Sequence, residues 1–171
     1  IVTESAEEAL KAFDDLGGDV VIKPLFGSRG IGSTRVSDRD VAERLFRAIV
    51  FYHGVLYLQK FIPHGTSDIR ALVVGDRVAA AMRRVSSGWK TNVSLGATPV
   101  ALNLGQELEA LAVQTAHVIG CKVAGVDILE SEKGPVVIEL NSQPGWRGLQ
   151  SVAGVNIAEE IARFVVSEIK T

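Results

Sequence analysis

The chain has 171 residues, a length that suits one large domain or two small lobes with a substantial core. Hydrophobic residues make up 47% of it and charged residues 22%, which is typical of a globular protein and argues against disorder. The formal net charge of −2 gives no general attraction for nucleic acid or for an anionic membrane, so we expect neither as a partner. Any phosphate chemistry must therefore depend on local basic residues.

Hydropathy and the N-terminal segment indicate the cellular compartment. No apolar run approaches the roughly 20 residues that a membrane span requires, and the acidic N-terminal segment does not resemble a signal peptide. The cytoplasm is therefore the expected compartment. The single cysteine, Cys121, cannot form an intrachain disulfide and is predicted to be a small buried hydrophobic residue. Because the chain begins with Ile1, we expect a fragment or a processed form of a longer protein.

The first 62 residues predict two helices and two strands around a glycine-rich segment. In order, these are a helix that is capped by Thr3 or Ser5 (Ser5 with Glu8 matching a capping box) and ends at Gly17-Gly18, a strand at 20–24, the segment GSRGIG at 27–32, a helix capped by Ser37 or Asp38, and a strand at 55–62. The helices have apolar residues at helical spacing, and the strands are rich in β-branched residues.

The remaining residues predict two hairpins and two helices. In order, these are a hairpin at 69–85 turning at Gly75-Asp76, a helix at 107–119 with Ala112 and Ile119 on its inner face, a hairpin at 123–141 turning at 131–134, and a helix at 157–169. The polar stretch 86–97 is too irregular for a prediction. Helices alternating with mainly antiparallel strands indicate an α+β protein and not a doubly wound parallel sheet.

Three polar residues on the second hairpin, Asp127, Glu139 and Asn141, are candidates for a metal site. Because side chains alternate along a strand, Glu139 and Asn141 point the same way, and the hairpin brings Asp127 opposite Glu139. Two carboxylates on one face of an apolar sheet repel each other unless a cation lies between them, and magnesium suits carboxylate oxygens. On the pattern alone, carboxylates that face solvent on a half-exposed sheet are an equally good interpretation.

The glycine-rich segment and the lysine before it are candidates for phosphate binding. Gly27, Gly30 and Gly32 permit the backbone dihedrals that let N–H groups approach phosphate oxygens, but an ordinary turn is the commoner use of such a segment. The spacing is neither that of a P-loop nor that of a dinucleotide-binding fingerprint. Lys23 stands in an apolar strand, where a lysine is costly unless it reaches a phosphate or extends outward to water.

Seven short motifs, taken in chain order, resemble those of the ATP-grasp superfamily, and most of all the RimK-like alpha-L-glutamate ligases. The motifs are VIKP with GSRGIG (21–32), YLQKFI (57–62), DIR (68–70), AMRR (81–84), WKTN (89–92), VAGVD (123–127) and ELNSQPG (139–145). The resemblance covers nearly the whole chain. It implies two lobes of mainly antiparallel sheet, at 1–62 and 63–171, with the nucleotide bound between them. The string NSQPGWRGLQ (141–150) is most similar to the tetrahydromethanopterin–glutamate type.

The resemblance also implies a role for each matching residue. In the first lobe, the implied roles are Lys23 at the α/β-phosphates, Ser28, Arg29, Gly30, Ile31 and Gly32 closing over the triphosphate, and Gln59, Lys60, Phe61 and Ile62 lining the adenine pocket. In the second lobe, they are Asp68 at the ribose hydroxyls, Arg84, Lys90 and Asn92 at the γ-phosphate and substrate carboxylate, and Asp127, Glu139 and Asn141 on Mg²⁺ (or Mn²⁺). An acidic residue is usual in the family where Lys60 stands, so backbone groups are expected to recognise adenine there.

The activity implied is an ATP-dependent ligation in which an acyl phosphate forms on a carboxylate acceptor and an amine then attacks it. The resemblance favours L-glutamate as the amino acid and does not name the acceptor. The N-terminal domain of the family, with another nucleotide-binding lysine, is not in this sequence, so weak activity is expected of the chain as it stands. The alternative is a nucleotide-binding module without catalysis, and the sequence leaves open whether the protein forms a homo-oligomer.

Overall fold

The computed structural model of the chain describes residues 1–27 and 29–169. Contacts between Cα atoms divide it into two compact units, unit 1 (Ile1–Ile62) and unit 2 (Pro63–Thr171). Each unit has one antiparallel sheet and its own helices, in agreement with the α+β class expected from the sequence. Among the described residues, no helix combines the length and apolar character needed to cross a membrane.

Unit 1 is a four-stranded antiparallel sheet in the order β1-β4-β2-β3 with two helices. Its elements are β1 (Val2–Thr3), α1 (Ala6–Asp15), β2 (Val20–Lys23), β3 (Thr34–Val36), α2 (Arg39–Phe51) and β4 (Leu56–Lys60). The predicted helices and the two longer strands are confirmed. Strand β3 was not predicted, because three residues are too few to show the alternation on which a strand prediction depends.

Side-chain caps begin both helices of unit 1. The Ser5 hydroxyl accepts a hydrogen bond from the backbone N–H of Glu8 at 3.3 Å, which is half of the predicted capping box. The Glu8 carboxylate completes a different contact, since it accepts a hydrogen bond from the Thr3 hydroxyl at 2.5 Å. Asp38, not Ser37, caps α2, and its carboxylate accepts from the N–H of Val41 at 2.9 Å.

The two faces of the sheet of unit 1 differ in character. One face packs against α1 and α2 and forms the core, which includes Val20, Ile22, Phe46, Leu56 and Leu58. Because strand residues alternate, the intervening residues lie on the opposite face. The register pairs them across the strands, Val21 with Gln59 and Lys23 with Tyr57. Lys23 and Gln59 therefore share the face away from the helices.

Unit 2 is a five-stranded antiparallel sheet in the order β7-β6-β5-β8-β9 with three helices. Its elements are β5 (Ser67–Val74), β6 (Arg77–Val85), β7 (Thr98–Ala101), α3 (Gln106–Ile119), β8 (Val123–Ser131), β9 (Gly134–Asn141), α4 (Arg147–Gln150) and α5 (Ile157–Ile169). Both predicted hairpins are confirmed. At the first turn, Gly75 has φ of 62°, and a Cβ there would be 2.7 Å from the ring of Phe164 in α5.

Helices cover both faces of the sheet of unit 2. Helix α3 packs on one face, where the buried alanines Ala112 and Ala116 meet Ile69, Ala71, Val73 and their neighbours. The prediction that Ile119 lies on the inner face is wrong, since it is 63% exposed at the end of the helix. The small side chains of the two alanines form the contact instead and let the helix approach closely. Cys121 is half-buried beside this core.

The second face of the sheet of unit 2 is apolar at one end and charged at the other. Leu72, Val74 and Met82 pack there against Leu149 of α4 and Ile157 of α5. Moving back along β5 from Leu72 in steps of two leads to Arg70 and then Asp68 on the same face. The helices therefore support the sheet beside the residues that form the candidate site.

Candidate functional site

Gln59, on the face of the unit 1 sheet away from its helices, has an unsatisfied polar atom. Its Oε1 is buried and accepts no hydrogen bond from the described residues. A buried acceptor without a donor costs about 1–3 kcal/mol, so such atoms often mark a place where a ligand or water supplies the donor. Lys23 is half-buried at the end of the adjacent strand, directly opposite Tyr57. This face of unit 1 thus has a hydrogen-bond acceptor, Gln59, and a cation, Lys23, among less polar residues.

The glycine-rich segment folds back on the end of strand β2. Gly30 and Gly32 have φ of 71° and 80°, and a Cβ on Gly32 would be 3.3 Å from the Cγ of Pro24. Arg29 also has positive φ, at 63°. Ile31 is exposed. Ser28 lies outside the described residues. Both interpretations of the segment, a turn or a phosphate-binding loop, are compatible with this geometry, and the phosphate role stays a prediction.

Residues 60–62, which the resemblance assigns to the adenine pocket, direct their side chains to different places. Lys60 shares the helix-side face with Val20, and its Nζ would be 4.0 Å from a Cβ on Gly17, at the end of α1. Its ammonium therefore lies near a helix C-terminus, where a positive charge is favourable. Phe61 is buried, with the guanidinium of Arg35 at 3.6 Å from its ring centroid. The Lys60 side chain therefore lies on the other face from Gln59, Ile62 is half-buried, and the contacts of both residues with adenine stay predictions.

Five charged residues of unit 2 lie together on one face of its sheet, and we refer to them as the charged cluster: Asp68, Arg70, Arg84, Asp127 and Glu139. The register explains the grouping, because it places Asp68 opposite Arg84, Arg70 opposite Asp127, and Asp127 opposite Glu139. The predicted pairing of Asp127 with Glu139 is confirmed. A shift in the register follows directly after this pair, between Asp127 and Ile128.

Arg70 lies between the two carboxylates of the predicted metal site. Its Nη2 donates to Asp127 Oδ2 at 2.7 Å, its Nε donates to Oδ1, and Nη2 is also 4.0 Å from Glu139 Oε1. Among the described residues, the cation that lies by both carboxylates is therefore a guanidinium of the chain, and the metal ion stays a prediction. The solvent-facing alternative is wrong for Asp127, which is 2% exposed, whereas the side chain of Glu139 is 48% exposed.

Arg84 links the two buried carboxylates of the cluster. It is 5% exposed; its Nε donates to Asp68 Oδ1 at 2.6 Å and its Nη2 donates to Asp68 Oδ2 and, at 2.9 Å, to Asp127 Oδ2. Burial lowers the pKa of Arg84, but the hydrogen bonds that it donates to Asp68 and the charges of Asp127 and Asp68 outweigh burial and raise the pKa overall. Asp68 and Arg84 thus bind each other here, and their roles toward ribose and γ-phosphate stay predictions.

The oxygen atoms of Asp127, Glu139 and Asn141 that accept no hydrogen bond suit a divalent cation. Among the described residues three N–H groups reach Asp127, one at Oδ1 and two at Oδ2, which leaves one lone pair on Oδ1. Asn141 donates its Nδ2 to Glu139 Oε1 at 3.1 Å, so its carbonyl oxygen is directed elsewhere. No group of three His, Cys, Asp or Glu in the described ranges could hold a metal. Two carboxylates and an amide are nevertheless sufficient for magnesium, which keeps several positions for water and phosphate.

Gly125 permits the close packing of the motif ELNSQPG (139–145) against the charged cluster. It lies opposite Asn141, and a Cβ there would be 2.8 Å from Pro144 Cβ and 3.3 Å from Arg70 Nη1. No side chain other than hydrogen fits this space. Neither Gly125 nor Arg70 was assigned a role from the sequence, although both stand within the motifs VAGVD and DIR. The available signal was their spacing: Gly125 is two residues before Asp127 and Arg70 is two residues after Asp68, so strand alternation places each on the same face as that aspartate.

The segment before β7 holds two further predicted site residues. Lys90 lies over the ring of Trp89 at 5.3 Å, and the backbone carbonyl of Trp89 is 3.0 Å from His64 Nε2. Asn92 precedes a short 3₁₀ turn, and its carbonyl accepts from the N–H of Leu95 at 2.9 Å. These contacts hold the segment within unit 2, while the contacts of Lys90 and Asn92 with a substrate stay predictions.

Sequence comparison identifies relatives over nearly the whole chain. The model of the RimK-like ATP-grasp domain matches residues 2–165. A tetrahydromethanopterin:alpha-L-glutamate ligase of Methanococcus maripaludis is 41% identical over 166 residues, which are 94% of this chain and 56% of the relative. A probable alpha-L-glutamate ligase of Syntrophotalea carbinolica is 39% identical over 157 residues, 90% of this chain and 52% of the relative. The chain spans about half the length of these relatives.

Solved structures share the fold. A RimK domain ATP-grasp protein from Sphaerobacter thermophilus superimposes with a TM-score of 0.73 at 27% identity, covering 96% of this chain and 59% of that one. The ATP-grasp ligase PsnB, solved with a variant of its minimal precursor, Mg and ADP, gives a TM-score of 0.76 at 22% identity, covering 99% and 52%. At that identity, the second similarity concerns the fold alone.

Proposed function

The chain belongs to the RimK-like ATP-grasp family, and we propose that the protein containing it is an ATP- and magnesium-dependent ligase that joins L-glutamate to a carboxylate acceptor. The observation that carries the proposal is the geometry around Asp127. A buried carboxylate with one lone pair to spare lies beside a second carboxylate and an amide, and two guanidiniums hold it in place. A binding module that recognised only a base and a ribose would have no use for such a set.

Unit 1 would bind the adenine and the first phosphates. The unsatisfied Oε1 of Gln59 can accept a hydrogen bond from an exocyclic amino group, which adenine offers. Lys23, on the same face, is a flexible point charge suited to the α- and β-phosphates. The N–H groups around Arg29, Gly30, Ile31 and Gly32 would cover the triphosphate, since the positive φ values turn successive amides in a manner that suits anion binding.

Unit 2 would supply the metal ligands and the charges of the reaction. Asp127, Glu139 and Asn141 are the proposed ligands of Mg²⁺ or Mn²⁺, which when bound would neutralise phosphate charge. Asp127 is held rigidly by its arginines, so the site is ordered before the nucleotide arrives. Lys90 and Asn92 are proposed to face the γ-phosphate and the acceptor carboxylate.

The reaction proposed is a ligation in two steps. The acceptor carboxylate attacks the γ-phosphorus and releases ADP, and the amino group of glutamate then attacks the acyl carbon and releases phosphate. Catalysis would consist of positioning and charge neutralisation, so no nucleophilic side chain is required. Glutamate is proposed because the relatives named above are alpha-L-glutamate ligases. The acceptor of this protein is proposed only as a carboxylate.

The test compares two glutamates of matched exposure in the protein that contains this chain. Glu139→Gln removes a proposed metal ligand, whereas Glu130 pairs with Arg83 and has the same 48% exposure. We expect Glu139→Gln to weaken magnesium-dependent ATP binding and to lower glutamate-dependent ADP release by about a hundredfold or more. Glu130→Gln should change neither. Binding of ATP that is independent of magnesium, with no ADP release for any amino acid and acceptor tested, would establish the non-catalytic alternative.

A further inference from the structure

In the function proposed above, Arg70 only holds Asp127 in place, yet it makes closer contacts with the proposed metal ligands than any other cation described. It stands on β5 directly opposite Asp127, and its side chain is 13% exposed. Both Nε and Nη2 donate to the Asp127 carboxylate, and Nη2 is 4.0 Å from Glu139 Oε1. A fixed positive charge therefore lies beside the two carboxylates that a divalent cation would use.

The guanidinium of Arg70 is held in its position. Its two donors engage the two oxygens of one carboxylate, which fixes the plane of the fork. The absence of a side chain at Gly125 leaves room for it, since a Cβ there would be 3.3 Å from Nη1 and 3.4 Å from Cδ. A divalent cation that binds Asp127 and Glu139 consequently approaches a charge of its own sign that is already bound by the same ligands.

The net charge of the charged cluster determines how strongly it attracts a divalent cation. The three carboxylates of Asp68, Asp127 and Glu139 and the two guanidiniums of Arg70 and Arg84 leave a net charge of −1 (−3 and +2). A free divalent cation is attracted only weakly by such a group, and the nearby guanidinium opposes it strongly where water is scarce. A metal ion bound to phosphate is not repelled in this way, because the phosphate oxygens compensate the metal charge and are themselves attracted to a guanidinium.

We propose that Arg70 makes the metal site selective for a metal–polyphosphate complex and against the free divalent cation. Arg70 acts as a positioning and specificity-determining residue, which orients Asp127 and keeps the ligands from binding a metal before the nucleotide is present. This inference rests on the proposed function for the metal and the nucleotide. It goes further in assigning to Arg70 the coupling between them.

The experiment measures the binding of Mn²⁺ alone, by the EPR signal of the free ion, and then with saturating ADP. Wild type is compared with Arg70→Gln, which removes the charge but keeps an N–H donor for Asp127, and with Arg70→Lys, which keeps the charge. Arg83→Gln is the matched control, because Arg83 is on the neighbouring strand and pairs with Glu130 instead. Thermal unfolding with and without Mn²⁺ checks that each variant is folded, and Arg70→Met provides a second neutral variant.

We expect Arg70→Gln to bind Mn²⁺ alone at least about tenfold more tightly than wild type does. Addition of Mn²⁺ should also raise the melting temperature of this variant by more than it raises that of wild type. The ratio of Mn²⁺ affinities with and without ADP should fall by a similar factor, while Arg70→Lys and Arg83→Gln retain the wild-type ratio. Unchanged or weaker Mn²⁺ binding in both neutral variants would overturn the proposal. If wild type binds ADP and Mn²⁺ no better together than separately, the proposed function fails as well, so the two failures are distinguishable.

Discussion

The two units present polar groups in opposite ways. On the face of unit 1 away from its helices, Gln59 has a buried oxygen that no described residue satisfies, and Lys23 lies on the same face. In unit 2, each buried carboxylate and guanidinium of the charged cluster binds another member. The oxygen of Gln59 therefore needs a donor from a ligand or from water, whereas the buried charges of unit 2 are paired within the chain and leave one lone pair on Asp127. Substitutions in each unit can test this difference.

The largest effect is expected from removing a charge at the centre of the complete cluster. Asp127→Asn leaves Arg70 and Arg84 with a neutral partner in a buried place, so we expect the free energy of unfolding to fall by about 3–5 kcal/mol. Urea denaturation measures this loss. The exposed Asp76→Asn is the control, with an expected change within about 0.5 kcal/mol. Equal stability of the two variants would show that the cluster does not hold unit 2 together.

The second effect concerns the close packing beside the cluster. Gly125→Ala introduces a methyl group 2.8 Å from Pro144 and 3.3 Å from Arg70, and should lower the free energy of unfolding by about 1–3 kcal/mol. Metal–nucleotide binding should weaken as well, because the motif that carries Glu139 and Asn141 must shift. Gly154→Ala is the control, because a Cβ there has nothing within 4 Å, and we expect no such loss from it. Similar unfolding curves for both alanines would contradict the packing argument.

The smallest effect on stability, and of opposite sign, is expected in unit 1. Gln59→Met removes the unsatisfied oxygen at nearly constant volume, so stability should stay unchanged or rise by about 1 kcal/mol. The affinity for ATP should nevertheless fall by about tenfold, because the proposed acceptor for the adenine amino group is lost. Calorimetry of ATP binding and thermal unfolding measure the two quantities. A destabilised variant with unchanged ATP affinity would show that Gln59 is structural.

The sequence predicted local structure well where one rule applied at a time. Period-two alternation and turn residues predicted both hairpins of unit 2, and the pairing of Asp127 with Glu139 followed from them. Helical spacing predicted α5 over its full length. Strand β3 was missed because three residues show too little pattern, and Ile119 was misplaced because spacing alone does not show where a helix leaves its sheet.

The predicted metal site shows more clearly what could not be predicted from the sequence. From the sequence, two carboxylates on one face needed a cation between them, and that requirement comes from Coulomb repulsion in any arrangement of the hairpin. Which cation meets the requirement depends on residues from other strands. Arg70 and Arg84 are 57 and 43 residues from Asp127 along the chain, and only the order of the strands brings their guanidiniums to it.

The sequence by itself therefore determined that Asp127, Glu139 and Asn141 share a face, because alternation and a short turn are local properties. It also determined the family, because seven motifs in order leave little freedom. Only the tertiary structure decided that Asp127 is buried, that Arg70 occupies the space between the carboxylates, and that Gly125 makes room for it. Burial and close approach depend on strands distant in the chain, and no local pattern of residues records which of them will be neighbours.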